Sequence, residues 1–146
     1  MPSYSRVCLD ANLIVRMHDP SSAEYPSILN LWDRWISDRA EIIAPSLLRY
    51  EVTNAMYRSA AAGIVSETEA TSIISSMDRL QIRYFDSVSL NVAAFEIART
   101  LRLKAAYDAH YLALSLREGA EFYTVDKRLV VASQLSHLYV HYVMDV

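Results

Sequence analysis

Short apolar runs alternate with longer amphipathic segments along almost the whole chain. Runs of this length are typical of strands buried on both faces, and the amphipathic segments repeat at helical spacing. The predicted strands are Arg6–Leu9, Glu41–Ala44, Gln81–Phe85, Glu121–Val125 and Leu138–Val143. The predicted helices are Ala11–Met17, Ala23–Asp38, Leu47–Ala62, Ser66–Met77, Ser89–Leu101, Tyr107–Arg117 and Lys127–Ser133. Strands that alternate with helices in this way favour an α/β fold, with one parallel sheet covered on both faces.

Several helix ends are marked by capping and helix-breaking residues. Ser46 is predicted to be the N-cap of the third helix, and Gly63 is predicted to end that helix. Ser66 and Glu69 have the spacing of a capping box at the start of the fourth helix. Because the chain contains no internal repeat, low-complexity tract or linker, we expect residues 1–146 to form a single domain.

Four carboxylates lie at the edges of the predicted apolar runs. Asp10 and Asp126 follow the first and fourth strands, and Asp108 opens a helix. Glu51 lies in the third helix on the same face as Leu48, so its side chain is predicted to point inward. The carboxyl ends of parallel strands share one edge of the sheet, which is where ligands bind in such folds. We therefore expect the four acids to converge at that edge.

An acid at the rim of a core costs free energy unless a partner compensates its charge. The simplest shared partner for several carboxylates is a hard divalent cation, which binds oxygen ligands. Without the cation, close carboxylates repel one another, and at least one of them should have a raised pKa. We interpret Asp10, Glu51, Asp108 and Asp126 as catalytic, metal-ligating residues, with Asp10 and Asp108 as the most direct ligands.

Each of these acids also has an ordinary structural explanation. Asp108 and Asp126 can be helix N-caps, and Asp10 can anchor a turn at a strand end. Glu51 can form a structural salt bridge with an arginine. Tyr111 lies one turn after Asp108, where core packing is its expected role and a hydrogen bond at the rim is the alternative.

Polar and basic residues flank the acids in the sequence. Three polar residues can orient a ligating carboxylate or a metal-bound water, and a turn or cap bond is their alternative role. They are Asn12, Asn54 and Thr124. Four basic residues can hold phosphates beside the acids, and a solvated basic face is the alternative. They are Arg49, Lys104, Lys127 and Arg128. The histidines show no metal-ligand spacing and are not candidates.

Composition adds a few restrictions to this interpretation. The chain has 146 residues, of which 53% are hydrophobic and 21% charged, so it can bury a full core. A single cysteine excludes a disulfide framework, and Cys8 is expected to be an inert core thiol. Two glycines leave almost no room for a phosphate-cradling loop. No apolar run reaches the length of a membrane span, and none resembles a signal core, so we expect a cytoplasmic protein.

Net charge does not decide whether the partner is a nucleic acid. The formal charge of −3 at first sight disfavours a polyanionic partner. Four of the 17 acidic residues, however, belong to the suspected metal site. Two divalent cations bound there would more than cancel the net negative charge.

The segments around the acids resemble the PIN-domain nucleases, and most closely the VapC toxins of bacterial toxin–antitoxin pairs. The matching segments are Leu9–Asn12, Arg49–Ala55, Tyr107–Leu114 and Thr124–Leu129. Asn12 departs from the family pattern, which often has Ser or Thr there. The resemblance implies a three-layer α/β/α fold with a mainly parallel central sheet, Mg²⁺ or Mn²⁺ as cofactor, and endonuclease action on RNA, with tRNA and rRNA as candidate substrates. It also implies a homodimer that is inhibited by a VapB-like antitoxin.

Two other functions remain open from the sequence. A PIN-like binding module would keep the acids but act through an antitoxin or an RNA without cutting it. A Mg²⁺-dependent phosphotransfer domain would also place an acid such as Asp10 at a strand end. One class of such domains usually has a second acid two residues later, and here that position is Asn12.

Overall fold

The central element of the fold is a five-stranded sheet, seen in a computed structural model that describes residues 5–134 and 139–146. The strands are β1 (Arg6–Leu9), β2 (Glu41–Pro45), β3 (Arg83–Phe85), β4 (Glu121–Thr124) and β5 (Val140–Tyr142). The helices are α1 (Ala11–Arg16), α2 (Tyr25–Ser37), α3 (Leu47–Ala61), α4 (Glu67–Ser76), α5 (Val88–Leu101), α6 (Tyr107–Glu118) and α7 (Lys127–Ser133). A 3₁₀ helix, Met77–Leu80, follows α4. Within these two ranges, no helix is both long and apolar enough to cross a membrane.

The strand order is β3-β2-β1-β4-β5, and every neighbouring pair is parallel. From β1 the chain moves outward through β2 and β3, then returns to the other side of β1 for β4 and continues outward to β5. The connections therefore diverge between β1 and β4, which makes this gap the topological switch point where ligands bind in open α/β sheets. The predicted α/β fold with a parallel central sheet is confirmed.

The three central strands, β1, β2 and β4, are buried because helices cover both faces of the sheet, whereas the edge strands β3 and β5 are only partly buried. Val7, Cys8 and Leu9 of β1 are each at most 2% exposed, as is Phe122 on the neighbouring strand β4. Continuous apolar runs, without polar alternation, are the sequence signature of this arrangement. Burial raises the pKa of the Cys8 thiol to about 12, so the reactive thiolate is disfavoured, as expected for an inert core cysteine.

The capping predictions have mixed outcomes. The Ser66–Glu69 capping box is confirmed, with the Ser66 hydroxyl accepting from the Glu69 N–H at 3.0 Å and the reciprocal bond at 3.3 Å. Ser46 is the N-cap residue of α3, as predicted, but it is already helical (φ −54°) and its side chain makes no capping bond. Its backbone N–H and its hydroxyl instead donate to the Phe85 carbonyl at the end of β3. These two bonds connect Ser46 to the end of β3 and not to the first turn of α3.

Some element ends differ from their predicted positions. Strand β3 begins at Arg83 because Gln81 closes the 3₁₀ helix in a left-handed conformation, with φ of 53°. Helix α5 begins at Val88 because the hydroxyl of Ser87 accepts from the Leu90 N–H at 3.1 Å and caps it. Leu138, the predicted start of the last strand, lies outside the described residues.

Candidate functional site

The carboxyl edge of the sheet gathers the four acids around the switch point. Asp10 directly follows β1, and Asp126 is the N-cap residue that joins β4 to α7. Asp108 lies in the first turn of α6, and Glu51 lies in the second turn of α3. The acids are close enough to affect one another's ionisation, since Asp108 and Glu51 both act on Asp10, and Asp126 acts on Asp108. The four acids therefore lie at this edge of the sheet and interact electrostatically in pairs.

Asp10 is the most deeply buried of these acids, with 5% exposure. The hydroxyl of Thr124 donates to Asp10 Oδ2 at 2.8 Å, and the Asp10 N–H donates to the Tyr123 carbonyl at 3.1 Å. Thr124 also accepts from the Asp126 N–H at 3.0 Å. One hydroxyl thus connects the carboxylate that follows β1 with the backbone that follows β4.

The ionisation of the acids reflects their crowding in a buried place. Burial, followed by repulsion from Asp108 and Glu51, raises the pKa of Asp10 to about 7, against the lowering effect of the Thr124 hydrogen bond. Burial and repulsion from Asp108 raise the pKa of Glu51. Burial and repulsion from Asp126 raise the pKa of Asp108. The expected upward shift is confirmed in direction, but burial contributes more to it than mutual repulsion does.

Glu51 is held by a tyrosine. The Tyr111 hydroxyl donates to Glu51 Oε1 at 2.6 Å, while the Tyr111 side chain is fully buried and packs on Phe122. Burial and the Glu51 charge raise the pKa of Tyr111, so its hydroxyl stays protonated and remains a donor. Among the ion pairs of the described residues, none involves Glu51. The hydrogen bond thus takes the place of the salt bridge considered as an alternative.

Helix capping explains the position of Asp126 but not that of Asp108. Asp126 caps α7, with its Oδ1 accepting from the Arg128 N–H at 2.9 Å and lying 3.5 Å from Arg128 Nε. The cap uses one oxygen of the carboxylate and leaves the other able to bind a ligand. The N-cap residue of α6 is Ala106, so Asp108 is not a cap. Helix capping therefore does not explain why an acid is partly buried at this position.

The residues at this edge fit a hard divalent cation. The four acids supply only oxygen ligands, and the buried Oδ1 of Asn12 has no hydrogen-bond partner in residues 5–134 and 139–146. A buried oxygen without a donor costs about 1–3 kcal/mol, and a cation or its water would remove that cost. In the same residues, no three His, Cys, Asp or Glu side chains stand close enough to hold an ion as they are. Fewer protein ligands with waters completing the coordination, or a movement of the carboxylates towards the ion, would permit binding.

Three of the four predicted phosphate-binding residues line clefts beside the acids. One cleft of about 390 Å³ is bordered by Asn12, Asp126, Lys127 and Arg128. A second, of about 330 Å³, is bordered by Lys104 together with Asp108, Asp126 and Arg128. Arg16 also borders the first cleft and was missed, because its position one turn after Asn12 gives no signal without the fold. Its guanidinium is paired with Glu24 at 3.0 Å.

Two other candidates are not brought to the acids. Arg49 lies with its guanidinium carbon 4.4 Å from the centre of the Tyr84 ring. It is two residues from Glu51, which on a helix places the two side chains about 200° apart. Asn54 is exposed on α3, and the contacts of the described residues do not join it to Glu51. Arg49 therefore faces away from the acids, and Asn54, one turn after Glu51, is turned towards solvent.

Replacement of Thr124 by valine tests the bond between the two strand ends. Thr124→Val keeps the shape but leaves Asp10 Oδ2 and the Asp126 N–H without their partner. We expect the free energy of unfolding to fall by about 1–3 kcal/mol, measured by urea denaturation. Thr124→Ser keeps the hydroxyl and should lose less. A valine variant as stable as the parent would show that this bond does not support the site.

Comparison with known proteins agrees with this geometry. The family model of the PIN domain matches residues 7–134, and the chain belongs to the PIN-domain family. It is 23% identical over 128 residues to Ribonuclease VapC3 of Pyrobaculum aerophilum, a match that covers 85% of this chain and 92% of that protein. The resemblance seen in the sequence is confirmed at the level of the family.

Solved structures share the fold. The structure of PAE2754 from Pyrobaculum aerophilum matches with a TM-score of 0.70 and 19% identity, covering 97% of this chain and 93% of that one. The structure of VapBC2 from Rickettsia felis, bound to a DNA fragment from their promoter, matches with a TM-score of 0.65 and 14% identity, covering 94% and 98%. The predicted three-layer α/β/α arrangement is thereby confirmed.

Proposed function

We propose that this protein is a metal-dependent endoribonuclease, the toxin of a VapBC-type toxin–antitoxin pair, which hydrolyses RNA phosphodiester bonds with Mg²⁺ or Mn²⁺. The observation that carries the proposal is the buried Asp10 at the switch point, with Glu51 and Asp108 near enough to raise its pKa. Membership of the PIN-domain family and the similarity to Ribonuclease VapC3 support it.

In this proposal the four acids hold the cation and their neighbours hold the acids. Asp10 and Asp108 are the direct ligands, Glu51 binds directly or through a water, and Asp126 completes the site with the oxygen that its cap leaves available. When bound, the cation supplies a water activated near neutral pH and positive charge for the phosphate oxygens. The hydroxyl of Thr124 orients Asp10 through the bond that it donates to Oδ2.

The remaining polar candidates have lesser roles in this proposal. Asn12, whose buried Oδ1 has no partner among the described residues, would accept a hydrogen bond from water at the metal site. The Tyr111 hydroxyl holds Glu51 and leaves its second oxygen for the cation. Asn54, exposed one turn after Glu51, is the residue that would orient Glu51 from the solvent side.

Basic residues on the β4 side of the acids are proposed to bind the RNA backbone. Lys127→Ala and Arg128→Ala should each weaken binding of single-stranded RNA several-fold. Each should also make the dependence of log K on log salt shallower by about 0.7, because one phosphate contact is lost. Arg79→Ala is the matched control, since Arg79 is exposed on the 3₁₀ helix before β3. Equal effects of all three substitutions would contradict a local phosphate site.

The partners are part of the same proposal. We propose that the protein forms a homodimer, acts in the cytoplasm as a single PIN-like domain, and is inhibited by a VapB-like antitoxin. The similarity to the VapBC2 structure supports the antitoxin partner. Co-expression with the product of a neighbouring gene, followed by measurement of the mass of the purified complex, would test them together.

Cleavage of structured RNA by the purified, antitoxin-free protein tests the proposal. We expect discrete cuts with Mg²⁺ or Mn²⁺ and none with EDTA. Cuts that persist in EDTA would contradict the role of the metal. An intact RNA pool, with metal binding still measurable by calorimetry, would favour a PIN-like binding module that does not cut.

A further inference from the structure

Another cleft, of about 250 Å³, opens at the same edge of the sheet on the β2 and β3 side of the acids. Its floor includes Pro45 and Phe85, the last residues of these two strands, and its walls come from α3, α5 and α6. This volume lies below the range of about 300–1,000 Å³ that is typical for drug-sized ligands, so it suits a group of the size of one ring system. None of the roles proposed above uses this cleft.

Two exposed tyrosines line the cleft. Tyr50 is 69% exposed and Tyr107 is 63% exposed, and both border the cleft. Each directly precedes an acid of the candidate site, Glu51 and Asp108 respectively. Consecutive side chains on a helix diverge by about 100°, so each tyrosine lies on the helix face next to that of its acid and not on the opposite face. Exposed aromatic rings in such a position provide the stacking surface on which unpaired bases bind.

Polar groups of the cleft form a fixed hydrogen-bonding edge. His110 Nδ1 lies 2.8 Å from the Ala106 carbonyl, which can only accept, so Nδ1 carries the proton. The unprotonated Nε2 then accepts from the Asn91 amide at 3.0 Å. This bond orients Asn91 and leaves its oxygen and its second N–H able to bond a ligand. Asp86 adds a carboxylate, which can only accept.

The charge of this cleft differs from that of the clefts on the other side of the acids. Its lining, within the described part of the chain, contains no lysine or arginine and includes the Asp86 carboxylate. The clefts on the β4 side contain Lys104, Lys127 and Arg128. A phosphate would be attracted to the β4 side and repelled by Asp86. A neutral base with hydrogen-bond donors suits the cleft better than a phosphate does.

We propose that this cleft binds one unpaired RNA base next to the phosphodiester that is cut, and that it selects bases with an exocyclic amino group. This proposal rests on the nuclease function proposed above. Tyr50 and Tyr107 stack on the base, and the acceptors of Asp86 and Asn91 bind its amino group. Adenine, cytosine and guanine carry such a group, whereas uracil has carbonyl oxygens at those positions and only its ring N3–H as a donor. The RNA backbone then leaves the metal site towards the basic clefts.

Binding of short single-stranded RNA to the Asp10→Asn protein tests the cleft without any need for cleavage. The probes are fluorescent oligo(A), oligo(C) and oligo(U), with Mg²⁺ present, read by anisotropy. We expect oligo(A) and oligo(C) to bind several-fold more tightly than oligo(U). Adding Tyr50→Ala and Tyr107→Ala should weaken the binding of oligo(A) and oligo(C) by roughly 10- to 100-fold, because base stacking is lost. Phenylalanine at both positions should restore most of the affinity.

Two further variants make the test specific. Tyr139→Ala removes a tyrosine of similar exposure (73%) just before β5, at the opposite end of the sheet, and should leave binding unchanged. Asp86→Asn provides an N–H donor for the uracil oxygen and should reduce the preference against oligo(U). Thermal melting checks that each variant is folded.

The outcomes for the cleft and for the nuclease are separate. If the Tyr50→Ala, Tyr107→Ala protein binds every probe as its parent does, or if oligo(U) binds as well as the others, the cleft does not select a base. If the otherwise unaltered protein cuts no RNA with metal, the nuclease proposal fails, while the binding assay still reports on the cleft. If the Tyr50→Ala, Tyr107→Ala protein still cuts RNA with the same base preference, the nuclease proposal stands and the cleft proposal is wrong.

Discussion

Replacement of Asp10 by asparagine is expected to lower metal-dependent RNA cleavage by at least about 10³-fold while the fold is kept. The carboxylate of Asp10 is the buried centre of the acidic site, and its removal deletes one negative ligand and its charge. Asparagine has the same shape, and its oxygen can accept the hydrogen bond from Thr124. Initial cleavage rates in Mn²⁺, together with circular dichroism, measure both parts of this expectation.

A matched variant separates this effect from a general loss of charge. Asp33→Asn makes the same chemical change at an exposed position of α2 and should leave the rate unchanged. The apo form of Asp10→Asn should be at least as stable as the parent at pH 8, because burial disfavours the charged carboxylate. An Asp10→Asn protein with full cleavage activity would overturn the role given to this acid.

The stability of the metal-free protein is expected to fall as the pH rises from about 4 to 8. The folded state raises the pKa of Asp10 to about 7 from a reference value of 3.8, so between these values the folded protein holds a proton that the unfolded chain has released. The folded state therefore binds more protons, and its stability decreases with rising pH until Asp10 is ionised in both states. The total loss is at most on the order of 4 kcal/mol, and Glu51 and Asp108 shift in the same direction.

Urea denaturation in EDTA across this pH range measures the effect. Asp10→Asn should show a much shallower decline, because asparagine does not titrate. In the unaltered protein at pH 8, addition of Mg²⁺ should restore the stability that was lost, since the cation compensates the ionised carboxylates. Equal slopes for the two proteins would show that the ionisation of Asp10 does not limit stability. Acids with lowered pKa, such as Glu41, lose their contribution at lower pH and do not enter this window.

Much of the fold could be predicted from the sequence because local pattern and global structure agree. Apolar runs such as that of β1 cannot face water, and their alternation with amphipathic helices leaves few arrangements other than a parallel sheet. Strand ends then place Asp10 and Asp126 at one edge. The sequence could not place β4 beside β1, because strand order depends on the packing of the whole sheet.

Details that depend on neighbouring elements were missed. Ser46 has the sequence signal of an N-cap, but its hydrogen bonds to the end of β3 hold it in a helical conformation. Arg49 lies beside Glu51 in sequence but faces Tyr84. The cleft bordered by α3, α5 and α6 could not be predicted from any one of these helices. Its one visible signal was the tyrosine that directly precedes an acid in two separate helices, at Tyr50 and Tyr107.

Binding of Mn²⁺ to the purified protein, followed by electron paramagnetic resonance, tests most directly whether the four acids form a metal centre. We expect bound Mn²⁺ in the unaltered protein and strongly reduced binding in Asp10→Asn and Asp108→Asn. Glu67→Gln, a change at an exposed acid in the first turn of α4, should bind as the parent does. Absence of bound Mn²⁺ in the parent, or equal binding in all four proteins, would contradict a metal centre at the carboxyl edge of this sheet.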